Sequence, residues 1–182
     1  MKYHIEKNTI QETLVIPLYA RALCTRRFPH LFSDPLSVEL LEQLDYDFSA
    51  LERTSGSLMQ TFGAMEAAMR QSDLAWEVRD YLADHPQAAV VNLGCGLDQT
   101  GRSCDNGQCR LYNIDLPDVM AVREALLPAG EREKNLTADL NDLSWFDAID
   151  TPLEDGAVFF AAGVFYYFRT EQVQALCAAM AE

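Results

Sequence analysis

The spacing of apolar residues changes near residue 88, and this change divides the chain into two regions. Over 1–87, apolar residues recur every three or four positions, which is typical of amphipathic helices. Over 88–182, short β-branched or aromatic runs alternate with stretches of helical spacing. We therefore expect a helical N-terminal region followed by an alternating strand and helix region.

Four helices are predicted in the first region. Pro17 is expected to limit or kink the first of them, because a proline inside a helix removes a hydrogen bond. Asp34-Pro35 predicts the start of the second, with a capping carboxylate before proline at the first helical position. Two separate helices are predicted over 57–70 and 73–83.

Four strands are predicted in the second region, over 88–93, 110–114, 135–138 and 157–162. Helices are predicted over 117–127 and from residue 170 onward. Near-continuous apolar strands that alternate with helices favour an α/β fold, with a parallel sheet covered on both faces. Right-handed crossovers then give the strand order 3-2-1-4.

The fourth predicted strand, over 157–162, would be a flat, aromatic edge of this sheet. Exposed edges pair readily with other chains, and natural proteins cover them. We therefore expect either that the chain is the N-terminal part of a larger protein, truncated after strand four, or that self-association covers the edge.

The charge balance narrows the classes of partner. The net charge is −14, from 28 acidic and 14 basic residues. Nucleic acids and anionic membrane surfaces require concentrated positive charge, so neither is an expected partner. The chain has neither an apolar run long enough to span a bilayer nor a secretory signal at its N-terminus, and its five cysteines are scattered. These features indicate a cytoplasmic protein with free thiols.

A metal site is not predicted. Cys104 and Cys109 have the spacing of a ligand pair, but zinc needs two further ligands and no second cluster exists.

Residues 90–98 read VVNLGCGLD and form the strongest local signal in the sequence. Here a predicted strand runs into Gly94 and Gly96, and glycines allow a backbone to pass close to a ligand. A tight strand-to-helix turn would explain the same residues. Position 99 is Gln, so the third glycine of the dinucleotide fingerprint is missing, which disfavours a nicotinamide oxidoreductase.

Two acidic residues follow the next two predicted strands. Asp115 lies about 20 residues after the glycines, where a carboxylate can accept hydrogen bonds from both hydroxyls of a ribose. It could also cap the helix that starts at Pro117. Asp139 could accept a hydrogen bond from an exocyclic amine while Leu140 flanks a ring, or it could be a solvated turn residue.

Six segments of the chain carry a resemblance to a known family. They are residues 18–22 (LYARA), 31–35 (LFSDP), 92–98 (NLGCGLD), 112–117 (YNIDLP), 138–140 (ADL) and 162–168 (AGVFYYF). In this order they resemble the leucine carboxyl methyltransferase family, and within it the bacterial O-methyltransferases of polyketide biosynthesis. The resemblance implies a class I methyltransferase (Rossmann-like) fold, with S-adenosylmethionine as cofactor and a small-molecule methyl acceptor.

The resemblance also implies roles for individual residues. Arg70 would hold the carboxylate of the cofactor, with Arg21 and Arg26 as weaker candidates at the same mouth. The other implied cofactor residues are Gly94, Cys95, Gly96, Asp115, Leu116, Asp139, Leu140 and Ala162. Ala162 stands where the family usually has an acidic residue, and three further strands would normally follow the fourth.

The acceptor side is less well defined by the sequence. Tyr166 and Tyr167 follow the fourth predicted strand, where an acceptor would bind, although they could equally be core aromatics. The three histidines, His4, His30 and His85, are interpreted as structural or solvated. Either the acceptor is a carboxylate, which needs no base, or a base lies elsewhere. A non-catalytic binding or assembly module is the competing hypothesis.

Overall fold

The computed structural model describes residues 2–181. Its helices are α1 (Val15–Arg27), α2 (Pro35–Gln43), α3 (Ser49–Thr54), α4 (Leu58–Asp84), α5 (Thr100–Ser103), α6 (Pro117–Leu126) and α7 (Thr170–Met180). Its strands are β1 (Tyr3–His4), β2 (Leu44–Asp45), β3 (Ala89–Leu93), β4 (Arg110–Asp115), β5 (Glu133–Thr137) and β6 (Ala157–Ala161). Short 3₁₀ helices cover Ile10–Leu14, Leu143–Ala148, Leu153–Asp155 and Phe165–Tyr167.

Four parallel strands form the main sheet in the order β5-β4-β3-β6. This is the predicted order 3-2-1-4, because β3 to β6 are the four strands that the apolar pattern predicted. Every residue of β3 is buried, as expected for a central strand. The short strands β1 and β2 pair in a separate two-stranded sheet.

The two faces of the sheet carry different helices. Val90 packs with Val78 and Leu82 of α4, whereas its neighbour Val91 packs on the opposite face in a cluster that contains Leu176 of α7. Successive residues of a strand point to opposite faces, so both faces are covered, as the alternation of strands and helices predicted.

The prediction of two helices over 57–70 and 73–83 is wrong, because α4 is one continuous helix of 27 residues. The segment Gln71-Ser72-Asp73 contains no proline or glycine that would end a helix. The hydroxyl of Ser72 donates to the carbonyl of Ala68 one turn earlier at 3.1 Å, which satisfies it within the helix. Gln71 is buried.

The start of α1 agrees with the first of the two expectations for Pro17. α1 begins at Val15, so Pro17 lies in its first turn, where a missing N–H removes no helical hydrogen bond, and it limits the helix at this end. The start of α2 is confirmed. Asp34 Oδ1 accepts the backbone N–H of Ser37 at 3.0 Å, and Pro35 occupies the first helical position.

The carboxyl ends of β3, β4, β5 and β6 meet at one edge of the sheet, because the strands are parallel. The turns that follow them face α1 and α4 of the N-terminal region across a single crevice. Among residues 2–181, no helix has the length and apolar character that a bilayer-crossing segment needs.

Candidate functional site

A cavity of about 330 Å³ lies at the carboxyl ends of the four strands. The structure brings all nine of the predicted cofactor residues to its wall. They are Arg70, Gly94, Cys95, Gly96, Asp115, Leu116, Asp139, Leu140 and Ala162. A site at this edge agrees with the general placement of ligands in open parallel sheets.

Gly94 and Gly96 both have backbone conformations that favour glycine. Their φ angles are +62° and +47°, in the left-handed region. A Cβ atom at Gly94 would lie 2.5 Å from Cγ2 of Val164, and one at Gly96 would lie 2.9 Å from Cδ2 of Leu14. The turn is therefore both left-handed and closely packed by residues from the turn after β6 and from the N-terminal region.

Asp115 connects the end of β4 to this glycine turn. Its Oδ2 accepts the backbone N–H of Gly96 at 2.7 Å, and its Oδ1 accepts the N–H of Leu116 at 2.8 Å. Burial raises the pKa of this carboxyl, while the two N–H donors and the nearby charge of Arg123 oppose that rise. Since an ionised carboxylate has about four acceptor positions, two remain for a ligand.

The alternative interpretation of Asp115 as a helix cap receives little support. A capping side chain accepts from the second or third residue of the helix, but α6 starts at Pro117 and Asp115 accepts from Leu116, which precedes it. The carboxylate instead joins two strand ends.

Asp139 follows β5 and lies exposed at the rim of the cavity. Its Oδ1 accepts both the backbone N–H of Asn141 at 2.9 Å and the side-chain amide of Asn141 at 2.8 Å. These bonds hold the pKa of Asp139 below its usual value. Asp139 is thus a turn residue that also lines the cavity. Leu140 beside it is buried.

Arg70 projects from α4 at the opposite wall. Its Nη1 lies 3.6 Å from a carboxylate oxygen of Glu66 and 3.4 Å from the hydroxyl of Tyr166, and its side chain is 30% exposed. The guanidinium also lies against Gly163, where an added Cβ would come within 3.4 Å of Nη1. Arg70 is therefore partly exposed, with weak partners that a ligand carboxylate could replace.

The two weaker arginine candidates do not share this position. Arg21 lines the cavity, but it is buried and pairs with Asp34 at 3.1 Å while donating to the carbonyl of Leu97 at 3.0 Å. Arg26 lies on the surface, 3.9 Å from Glu42, and is not among the lining residues. Arg21 therefore lies at the predicted mouth, where it joins α1 to the glycine turn. The expectation for Arg26 is wrong, because Arg26 faces solvent.

The two predicted acceptor-side tyrosines separate in the structure. Tyr167 lines the cavity, whereas Tyr166 does not line it and contacts Arg70 from outside. Both are more than 70% exposed, which excludes the interpretation of them as core residues. The histidines His4, His30 and His85, all within the described residues, do not line the cavity.

One wall of the cavity was not predicted from the sequence. This wall comes from the 3₁₀ helix and the start of α1, and it consists of Ile10, Thr13, Leu14 and Pro17. Gln71, Asp98 and Phe168 were also missed. Gln71 and Phe168 are sequence neighbours of predicted site residues, but the N-terminal wall has no local signal, because only the packing of α1 brings it to the sheet.

Cys95 lies between the two glycines, and its burial strongly raises the pKa of its thiol. Cys104 and Cys109 are also buried, with thiols directed to the carbonyl of Ala75 and the carboxylate of Asp105. Within residues 2–181, no three His, Cys, Asp or Glu side chains are grouped to hold a metal ion.

The sequence matches the family model described as leucine carboxyl methyltransferase over residues 15–181. It is 33% identical over 162 residues to the tetracenomycin polyketide synthesis O-methyltransferase TcmP of Streptomyces glaucescens. That match covers 88% of this chain and 57% of TcmP, so the chain spans a little more than half the length of this relative.

Two solved structures are similar to this chain. A putative methyltransferase from Thermobifida fusca has a TM-score of 0.51 at 19% identity, and the match covers 92% of this chain and 63% of that one. CalS10, an S-adenosylmethionine-bound amino pentose methyltransferase from Micromonospora echinaspora, has a TM-score of 0.43 at 18% identity over 75% of this chain and 51% of its own.

The first of these structures shares the α/β fold described here. The family model matches nearly all of the chain, and the TcmP match is close enough in sequence to agree with it. The chain belongs to the leucine carboxyl methyltransferase family.

Proposed function

We propose that this chain forms the cofactor-binding part of an S-adenosylmethionine-dependent O-methyltransferase that acts on a small molecule. One observation carries the proposal: Arg70, the glycine turn, Asp115 and Asp139 line one cavity. Its volume of about 330 Å³ lies in the range of small-molecule sites. Membership of the family supports the same activity.

The residues of the cavity suit the different parts of this cofactor. The guanidinium of Arg70 can grip a carboxylate with two parallel hydrogen bonds. The turn at Gly94 and Gly96 would let the methionine portion approach the backbone, because no Cβ stands in the way. The free acceptor positions of Asp115 suit a ribose diol, and Asp139 beside Leu140 suits an adenine ring.

The chain would catalyse transfer mainly by orienting the reactants. When bound, the cofactor supplies a methyl group on a sulfonium, which is already activated toward displacement. The protein therefore needs to hold an acceptor oxygen in line, and such positioning can supply roughly 7–11 kcal/mol of a barrier. The part of the cavity wall that would face the acceptor is apolar and contains Ile10, Pro17 and Phe168. Tyr167 would offer a hydroxyl there.

The acceptor group would be a carboxylate or an acidic hydroxyl. A carboxylate needs no base, and the histidines of the described chain lie away from the cavity. The name of TcmP refers to polyketide synthesis. By analogy, a polyketide or similar aromatic acid is the acceptor class that we propose, with activity in the cytoplasm.

The proposal also covers what packs beside the outer strand of the main sheet. Strand β6 is an outer strand and pairs with β3 on one side, and it contains Phe159 and Phe160. Such an edge would be covered by further chain or by a second copy. Light scattering of the purified 182-residue chain would separate a monomer from a dimer.

A second candidate is a cofactor-binding module without catalysis. The observation that favours it is Ala162, which lines the cavity where the family resemblance leads one to expect an acidic side chain. Binding would then occur without turnover.

Titration calorimetry tests the proposal directly. We expect heat of binding with S-adenosylmethionine and with its demethylated product, S-adenosylhomocysteine, and none with NAD. Absence of binding to both adenosyl ligands, or binding of NAD alone, would overturn it. Methylation of any member of a panel of aromatic carboxylic acids and phenols would then exclude the non-catalytic module.

A further inference from the structure

The geometry points to Arg123, anchored by Glu133, as a positioning residue that holds the glycine turn over residues 94–98 in its binding shape. The effect on ligand binding that this inference predicts rests on the proposed function. Arg123 lies on α6 and is not among the residues that line the cavity. It would therefore act on a ligand only through the turn.

Arg123 makes its strongest contacts with the backbone of the turn. Its Nη1 donates to the carbonyl of Gly96 at 2.9 Å and to the carbonyl of Asp98 at 2.7 Å. Its side chain is 1% exposed. A buried guanidinium with two short bonds to one turn restricts the conformations of that turn, because moving either carbonyl would leave a buried charge unsatisfied.

Glu133 compensates the buried charge. Its Oε1 lies 3.4 Å from Nη2 of Arg123 and also accepts the side-chain amide of Asn113 at 2.7 Å. Its Oε2 accepts Nε of Arg102 at 3.1 Å and the backbone N–H of Gly130 at 3.1 Å. The Glu133 side chain is 3% exposed, so both carboxylate oxygens are satisfied inside the protein.

The turn is held on both sides of one residue. The N–H of Gly96 donates to Asp115 at 2.7 Å, and the carbonyl of Gly96 accepts from Arg123 at 2.9 Å. These two partners come from consecutive elements, β4 and α6. Asp115 faces the cavity, whereas Arg123 and Glu133 do not. The pair therefore supports the turn independently of any ligand contact.

Stability alone does not account well for this arrangement. Replacing a buried ion pair with well-packed apolar residues is often neutral or stabilising, so such pairs are weak evidence for stability. One guanidinium nitrogen that donates to two carbonyls of a single turn, while a second nitrogen faces Glu133, does define the shape of that turn. A positioning role therefore explains the contacts with the two carbonyls, whereas a general packing role would not require them.

Arg102 supplies a matched control. It pairs with the same Glu133, but its second contact is the carbonyl of Pro128, outside the turn. Arg102→Met removes one partner of Glu133 and leaves the contacts of Arg123 with Gly96 and Asp98 intact. Arg123→Met removes those contacts. Arg123→Lys keeps the charge, but its shorter side chain ends in one nitrogen and cannot contact Glu133 and both carbonyls together.

The experiment combines amide hydrogen exchange of the ligand-free protein with calorimetry of S-adenosylhomocysteine. The amides of Cys95, Gly96 and Asp98 donate within and around the turn. We expect both Arg123 variants to speed exchange at these amides and to weaken binding about tenfold, the factor that corresponds to loss of one hydrogen bond to a charged group. Arg102→Met should keep the exchange rates of these amides and the affinity within about twofold of those of the unmodified protein. This expectation holds even if the variant shifts the urea midpoint.

The outcomes separate the possible roles. Equal effects of Arg102→Met and Arg123→Met on the turn would overturn the inference, because they would show a purely structural network. If Arg123→Met does not fold, Arg123→Lys decides, and unchanged exchange in that variant would also overturn it. If the unmodified chain does not bind S-adenosylhomocysteine, the proposed function fails, and exchange at the turn alone decides the role of Arg123.

Discussion

The carboxylate of Asp115 and the backbone N–H of Gly96 are joined by a hydrogen bond of 2.7 Å. This contact connects the end of β4 to the turn after β3, so two residues with separate predicted ligand roles form one structural unit. A ligand that bonds to Asp115 would therefore also affect the glycine turn. A change at either residue should alter both the binding of the adenosyl ligand and the order of the turn.

The buried carboxyl of Asp115 should give a distinctive pH dependence of stability. Its pKa is raised by burial, so the unfolded chain releases this proton at a lower pH than the folded chain does. The comparison is with Asp115→Asn, which cannot titrate at this position. The free energy of unfolding of the unmodified protein minus that of the variant should fall as pH rises from about 4, the ordinary pKa of a carboxyl group. This difference should level off above the pKa that Asp115 has in the folded protein.

Urea denaturation of both proteins between about pH 4 and about pH 8 measures this difference. The difference isolates Asp115, because the other titrating groups are common to both proteins. A difference that rises with pH would contradict the prediction. In calorimetry, Asp115→Asn should weaken S-adenosylhomocysteine binding by about tenfold or more, because a hydroxyl bond to a charged acceptor is lost.

Gly94→Ala should cost more than a left-handed backbone alone. The new Cβ would lie 2.5 Å from Val164, and the residue has a φ of +62°. We expect a loss of about 2 to 6 kcal/mol in the free energy of unfolding, from backbone strain and overpacking together, and no binding of S-adenosylhomocysteine.

Gly107 provides the control for this substitution. Its φ is +82°, but nothing lies within 4 Å of an added Cβ. Gly107→Ala should cost about 1 to 2 kcal/mol, the penalty of the left-handed conformation, and leave binding unchanged. Equal losses in the two variants would show that the packing of Val164 on the turn is unimportant.

Arg70→Ala should distinguish the two ends of the ligand. The guanidinium is proposed to hold a carboxylate, so S-adenosylhomocysteine should bind about 10- to 100-fold more weakly. Binding of 5′-methylthioadenosine, which has no amino-acid portion, should stay within about twofold of the original.

Arg26→Ala is the matched control, because Arg26 is a surface arginine that does not line the cavity. It should leave the binding of both ligands unaltered. Equal weakening of both ligands by Arg70→Ala would point to a folding defect instead of a carboxylate contact. The urea midpoints of both variants check this directly.

The thiols should react in two classes. Cys24, Cys95, Cys104 and Cys109 are buried, and burial raises the pKa of each thiol, whereas Cys177 is exposed. A colorimetric disulfide reagent should therefore titrate one thiol in the native protein and all five in denaturant. Rapid reaction of a second native thiol would contradict the burial described here, and protection by S-adenosylhomocysteine would assign that thiol to Cys95.

Much of the fold could be predicted because its signals are local. The apolar runs and the breaks between them predict the four main strands within two residues of their observed ends. The handedness of crossovers then limits the strand order. The wrong prediction of a break in α4 is also local in origin. Ser72 and Asp73 are residue types that often begin a helix, but Ser72 bonds one turn back and α4 continues.

The sequence by itself determined the types of the main strands and helices, the sheet order, the glycine positions in the turn after β3 and the set of residues at the strand ends. These depend on periodicity and on backbone conformations that few residue types adopt. Only the tertiary structure decided that Arg21 is paired with Asp34, that Tyr166 lies outside the cavity and that Arg123 supports the glycine turn. The reason is physical: the partner of a polar side chain depends on distances between segments far apart in the chain, which only packing brings together.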